Sequence, residues 1–373
     1  MSERDAQQRT WEVVRLAYEE RTPNPRARPR PGLRLLVAVA ILALGVAAVA
    51  AASPPGHAVF EKVREVVGVQ HAEPALFSLP SPGRLLVVSN EHGGVWLVRS
   101  NGFKRRIGSY NDAQWSPHGL YVVATTDNAL LAIDADGNVR WSLPRRAPAW
   151  PRWEGTLTDT RIAYFAKSGL RVVAGDGTGD RLLDAHALAV PAAWDPARLH
   201  TLAYVSGGAV VLRNTDTGAV VWRAPIRILP ADLTWSSDGR LLAVRGDKRI
   251  VVLGPDGRTR RVISTLGSHF AGMAFEPRTH KLGVTMRSTG RSEVRVFDID
   301  RPGTARLVFA GPGVFGDIVW SPDDRWLLVA WPTADQWVFL HGARVHAVSN
   351  IREQFPRADH LPPSLTLDQR WCC

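Results

Sequence analysis

The chain has 373 residues, 45% of them hydrophobic, with 46 Lys plus Arg against 35 Asp plus Glu and a formal net charge of +11. That length and apolar content can bury a large core and exclude bulk disorder. The positive charge is carried mainly by arginine, is dispersed, and forms no aromatic-interleaved basic cluster, so nucleic acid is not an expected partner.

In chain order, residues 1–32 read as a cytoplasmic segment. Thr10 to Arg21 predicts a short helix with Trp11, Val14, Ala17 and Tyr18 on one stripe and Glu12, Arg15 and Glu19 facing elsewhere. A helix this short is marginal alone, so its apolar stripe wants a partner or a bilayer surface, and those four residues are a candidate partner-docking helix. Pro23, Pro25, Pro29 and Pro31 stop the helix and make an Arg/Pro linker.

Residues 33–53 predict one transmembrane helix, because Leu35 to Ala52 is an uncharged run long enough to cross about 27 Å at about 1.5 Å per residue. Arginines at 4, 9, 15, 21, 26, 28, 30 and 34 precede it and none sits in Ser53-Pro54-Pro55-Gly56, which places the N-terminus in the cytoplasm and the rest outside. Ala50-Ala51-Ala52 could instead be a signal-peptide cleavage site, but the long leading segment favours a retained anchor. Residues 54–70 then form a stalk, with Val59, Phe60, Val63, Val66 and Val67 on a brief amphipathic helix ending at Gly68.

Residues 71–350 repeat. The phrase Trp115-Ser116-Pro117-His118-Gly119 before a strand-like run recurs as Trp235-Ser236-Ser237-Asp238-Gly239 and Trp320-Ser321-Pro322-Asp323-Asp324. Weaker copies put further anchors at Phe77, Trp153, Trp194 and Phe275, a period of about 40 residues that marks propeller blades. Each anchor is followed by a turn glycine, in order Gly102, Gly137, Gly177, Gly218, Gly257, Gly303 and Gly342. Most follow Asn or Asp, residues that tolerate the positive φ of tight hairpins.

The repeat beginning at Trp235 shows why four strands are expected. Leu241 to Val244 and Arg249 to Leu253 are short apolar runs bounded by turn residues, whereas Arg260-Arg261-Val262-Ile263 alternates charge with apolar side chains. The alternation suits an outer edge strand protected by charge, as does Lys104-Arg105-Arg106. The fold class is all-β, a seven-bladed β-propeller, although the spacing also admits six or eight blades. A closing strand is expected from near Ala75 or from Val345 to Val348, and residues 351–373 are read as a C-terminal tail folded over the propeller or loose.

The Ser-Pro-x-x-Gly type phrase, repeated over roughly residues 70 to 350, resembles the repeats of TolB-type and WD-repeat propellers, though the full Gly-His and Trp-Asp dipeptides of WD repeats are absent. Asn214-Thr215-Asp216-Thr217-Gly218 before Trp222, and Asp134-Ala135-Asp136-Gly137 before Trp141, are similar to repeat turns of quinoprotein-type propellers. That resemblance implies that the tryptophan docks between neighbouring blades. The layout of short cytosolic helix, single span and external domain resembles anti-sigma-type regulators.

No chemistry is legible. Cys372 and Cys373 are the only cysteines, so a zinc site lacks ligands and a link to another chain is the bridge they suggest. His341 and His346 have no third ligand nearby, Asp134 to Asn138 reads as a turn because it lacks the Glu of a calcium loop, and Asp323-Asp324 lies in a repeat turn. No nucleophile elbow or phosphate loop occurs. The expectation is a non-catalytic single-pass membrane protein with no cofactor, whose extracytoplasmic propeller binds a protein partner or ligand and could signal to a cytoplasmic regulator. An envelope scaffold and a quinoprotein- or hydrolase-type enzyme are the alternatives.

Overall fold

The computed structural model describes residues 78–89, 94–301, 303, 305–355, 365–366 and 371–372. The predicted docking helix, membrane span and stalk, and the first anchor, Phe77, lie outside the described residues. Among the described residues no helix is long and apolar enough to cross a membrane.

Seven antiparallel sheets follow one another along the chain, and the fold is a seven-bladed β-propeller. Blade 2 is typical, with strands Asp112–Trp115, Tyr121–Thr125, Ala129–Asp134 and Val139–Pro144 paired in sequence order from the axis outward. Six anchors, Trp115, Trp153, Trp194, Trp235, Phe275 and Trp320, lie at the ends of the first strands of blades 2 to 7, all as the last residue except Trp153, which is two residues before it. The first-to-second and third-to-fourth strand turns therefore share one face, here the anchor face. The second-to-third hairpins and the connections to the next blade share the opposite, crossover face.

The repeated phrase encodes its turn through its serine. Ser236 Oγ donates to Asp238 Oδ1 at 2.7 Å and accepts the Leu241 N–H at 3.0 Å, and Ser321 does the same with Asp323 at 2.6 Å and Trp326 at 2.9 Å. The side chain thus takes over backbone hydrogen bonding where the chain reverses. Asp323 also accepts from Ser81 at 2.6 Å, which ties blade 7 to blade 1 and brings the chain into the propeller on the anchor face.

Second and third strands are buried between blades, as their unbroken apolar runs predict. Leu85 to Val88, Val122 to Ala124, Ile162 to Tyr164 and Leu242 to Val244 are each at most 1% exposed. Anchor tryptophans also stitch the inner ring. The indole N–H of Trp194, Trp235 and Trp320 donates to the carbonyl just before the preceding anchor, at Arg152 (2.8 Å), Ala193 (3.2 Å) and Ala274 (3.2 Å). A buried indole needs such a partner, and one position satisfies it at successive blades.

Closure differs from both sequence expectations. Val345 to Val348 belong to the outer strand of blade 7, Arg344–Ser349, and residues near Ala75 lie outside the described ones. The inner position of blade 1 is filled from the C-terminal tail: Leu365–Thr366 and Trp371–Cys372 both pair antiparallel with Arg84–Ser89. Periodicity could not reveal this, because two-residue strands carry no repeat. The link to another chain through Cys372 or Cys373 is not supported; Cys373 lies outside the described residues.

The tryptophan docking implied by the quinoprotein resemblance is present. Trp141 Nε1 of blade 2 donates to the Gly175 carbonyl of blade 3 at 2.8 Å, and Trp222 Nε1 of blade 4 to the Pro255 carbonyl of blade 5 at 3.0 Å. The same register position on other outer strands holds arginine. Trp141 pairs with Ala132, Trp222 with Leu212, Arg105 with Leu97 and Arg181 with Val172, each two residues before its third strand ends, and Arg261 with Val252, one residue before. Arg105 reaches Asp136 Oδ1 of blade 2 at 2.7 Å, Arg181 the Thr215 carbonyl of blade 4 at 2.7 Å, and Arg261 the Asp298 carbonyl of blade 6. The edge arginines of blades 1, 3 and 5 therefore latch their blade to the next one's third turn, beyond protecting an edge. In blades 2, 4 and 5 a bulge beside that position re-aims the strand toward its neighbour.

Candidate protein-binding surface

Titratable side chains gather at the blade junctions. Between blades 2 and 3, Asp180 accepts from Arg145 Nε at 2.9 Å, Arg171 Nη2 at 2.6 Å and the Tyr164 hydroxyl at 2.7 Å. Burial and the neighbouring carboxylate push the Tyr164 phenol up to about 12. Further N–H groups of Arg145 and Arg171 also donate to the same two oxygens, so the carboxylate is enclosed by donors and acts as a rivet.

Two histidines repeat that role on the anchor face. His200 Nδ1 meets Asp216 Oδ2 at 2.7 Å, while its Nε2 lies 3.8 Å from Glu154 and 3.6 Å from Asp159 of blade 3. His280 bridges Asp300 of its own blade at 2.7 Å and Asp238 of blade 5 at 3.0 Å. Their backbones match as well, since each carbonyl accepts the N–H of the second residue of its blade's third turn, Thr215 or Ile299. Arg161 bonds Asp216 and Asp159 across the same junction. Among the described residues no group of three His, Cys, Asp or Glu could hold a metal ion.

These clamps set a pH dependence. Burial pushes the Glu154 carboxyl up to about 7 from the usual 4.5, against the lowering effect of the His200 N–H and Arg161. For His280 burial favours the neutral ring, but the hydrogen bonds to Asp238 and Asp300 outweigh it and raise the pKa above 6.5. Both groups hold their protons more tightly when folded. Their contribution is full below the unfolded value and is lost as pH rises through the folded one. Above about pH 5, where carboxylates with depressed pKa are already ionised, urea midpoints should fall toward pH 8. Glu154→Gln and His280→Gln should each flatten that decline; unchanged slopes in both would contradict the assignment.

The crossover face has a different character. Blade 4 has an inner strand of two residues, Ala193–Trp194, and the chain before it, 185–192, runs as a long connection beside the second strand, Thr201–Ser206. Leu188 N–H donates to the Val205 carbonyl at 2.8 Å and Ala187 bridges Ser206. This leaves a cleft of about 480 Å³ bounded by Leu188, Val205, Ile226, Ile228, Leu229 and Pro230. Gly207 and Gly208 stand in its wall with positive φ (58° and 71°) and open space where a Cβ would point, so the backbone itself forms part of the surface. Leu229 is 81% exposed and Leu266, on the next connection, 99%. Leu188 on the preceding connection and Trp150 at the start of the first strand of blade 3 are also exposed.

Successive blades thus present apolar side chains on one face, the property of an interaction patch more than of a solvated loop. The anchor face also exposes Leu120, Leu157 and Leu199 and has a cleft of about 310 Å³ beside Tyr121, Trp141 and Trp153. There, however, the indole and the histidine clamps are engaged in joining blades. The crossover cleft has no such structural duty, and it is the better binding surface.

Of the residues selected from sequence, Trp11, Val14, Ala17 and Tyr18 lie outside the described ones. Asp134 to Asn138 is a turn in which Asp134 accepts the N–H groups of Asp136 and Asn138 at 2.8 and 2.9 Å. The crossover cleft escaped sequence reading. Its one signal is apolar residues where connections are usually polar, Ile226-Arg227-Ile228-Leu229-Pro230 and Leu266-Gly267.

No model of a known protein family matches the sequence, and no curated protein does. Solved structures share the fold at low identity. The propeller domain of Cps50 (Swd1) from Myceliophthora thermophila is 15% identical, covers 73% of this chain and 99% of its own, and has a TM-score of 0.54. A putative 6-phosphogluconolactonase from Bacteroides uniformis is 14% identical, with 71% and 95% covered and a TM-score of 0.52. A chain from the mitotic checkpoint complex is 13% identical, with 74% and 84% covered and a TM-score of 0.53. The likeness is one of fold: the chain is a propeller similar to WD-repeat and lactonase-type propellers.

Proposed function

We propose that this chain is a non-catalytic, membrane-anchored binding protein whose propeller engages a protein partner through its crossover face. The observation that carries the reading is the cleft by Leu188, Ile228 and Leu229 with the exposed Leu266 beside it. Similarity to a chain of a protein assembly, the mitotic checkpoint complex, is compatible with it. A non-catalytic role has support in the titratable clusters, which are consumed in joining blades.

The anchored layout rests on sequence: Leu35 to Ala52 spans the membrane, the arginines before it keep the N-terminus cytoplasmic, and the propeller is extracytoplasmic. Because the chain enters the propeller on the anchor face, the crossover face lies opposite the entry point. The stripe Trp11, Val14, Ala17 and Tyr18 then offers a second contact, to a cytoplasmic regulator, in a layout similar to anti-sigma-type regulators.

The test is site-specific photo-crosslinking in native membranes, with the crosslinker at Leu229 or at Leu157 on the opposite face, in full-length protein and in a chain lacking residues 2–32. The expected result is one defined adduct from Leu229, none of the same mass from Leu157, and a cytoplasmic protein recovered only with residues 2–32 present. Equal adducts from both faces would refute the crossover surface. The same envelope adducts from both chains, with no cytoplasmic protein recovered from either, would make the protein a scaffold.

A further inference from the structure

The cleft has a charge as well as a shape. Arg227 lies between the lining residues Ile226 and Ile228, Lys167 is in the second-to-third hairpin of blade 3, Lys248 is in that of blade 5, and Arg249 begins the strand after it. All four are exposed, and none has an ion pair among the described residues. Two acids stand on the same face, Asp247 in the hairpin of blade 5, which meets His269 Nδ1 at 2.7 Å, and Asp184 at the end of the outer strand of blade 3, which accepts the His186 N–H at 2.7 Å. The hairpins of blades 3 and 5 and the 226–230 connection thus carry four exposed cations on the face that holds the cleft.

Resting on the protein-binding reading above, we propose that the occupant is an acidic segment of a partner protein whose apolar side chains enter the cleft. Leu188, Ile228 and Leu229 receive apolar side chains, and Gly207-Gly208 lets the segment approach the backbone closely. The cations meet carboxylates along its length. Rim charges of this kind act on encounter and partner choice more than on the buried contact, and a basic segment is repelled before it docks. The buried apolar contact then holds the complex.

Random peptides displayed on phage are selected against the full-length protein, with Leu229→Asp as counter-selection. Leu229, Lys167, Arg227 and Lys248 are all exposed, and the fold of each variant is confirmed by circular dichroism. Enriched peptides should carry Asp and Glu in excess, interleaved with Leu, Ile, Phe or Trp. Their affinity by fluorescence anisotropy should fall about tenfold or more in the triple variant Lys167→Glu, Arg227→Glu, Lys248→Glu, and should weaken with added salt. Enrichment of basic or uncharged peptides that still need Leu229 would overturn the acidic assignment and leave the binding surface standing. Peptides that bind Leu229→Asp equally well, or no enrichment at all, would overturn both. Displacement by a synthetic peptide of residues 2–20 as readily as by the unlabelled selected peptide would give the cleft to this chain's own N-terminus, and the partner assignment would fall.

Discussion

Trp371→Ala should destabilise the propeller by about 3–5 kcal/mol, the range for truncating a buried tryptophan. Trp371 is 7% exposed and packs in the cluster that holds Leu85, Val87, Leu328, Trp337 and Phe339, with its ring edge-on to Phe339 at 5.8 Å. That cluster joins blades 7 and 1, where the ring of blades closes. The loss there removes apolar burial and loosens the pairing of Trp371–Cys372 with Leu85 and Arg84. Equilibrium urea unfolding followed by tryptophan fluorescence measures it, with Trp150→Ala as reference: Trp150 is an exposed tryptophan and its removal should cost far less. Equal losses for the two would show that the tail does not close the ring.

The contrast between body and closure explains what the sequence could reveal. Blade number, the placement of the six described anchors and the turn glycines were legible because each recurs at fixed spacing and each has a local cause: an indole that must find a carbonyl, a serine that must cap a turn. Of the turn glycines all but Gly303 and Gly342 have φ between 75° and 84°, Gly342 has φ 57°, and Gly303 is not left-handed. The closing strand was illegible because pairing of Leu365–Thr366 and Trp371–Cys372 is decided by the vacant inner edge of Arg84–Ser89, a tertiary fact. The binding surface was illegible for a related reason. Arg227, Lys167 and Lys248 are far apart in sequence and share a face only because the hairpins and connections that carry them do. The arginine latches were half legible: Arg105 and Arg261 were recognisable as edge residues, but their equivalence to Trp141 and Trp222 is visible only in the strand register.

The second large effect is expected at Gly257. Its φ is +76° and an added Cβ would stand 2.8 Å from Trp222 Cδ2, so a side chain meets both a left-handed backbone and the docked indole of the preceding blade. Gly257→Val should cost about 1–3 kcal/mol for the backbone and about 1–3 kcal/mol more for displacing the ring. Gly267 separates the two terms, because its φ is +73° with nothing within 4 Å of the Cβ position, so Gly267→Val carries the backbone cost alone. The difference between the two variants in urea unfolding then measures the indole contact. In the Trp222→Ala background the ring is gone, and Gly257→Val should fall to the cost of Gly267→Val. If it stays as large, the clash is not what makes Gly257 necessary, and Trp222 does not latch blade 4 to blade 5 through this turn. Because Gly177 meets Trp141 in the same geometry, at 2.8 Å and φ +84°, the same cycle there should give the same answer.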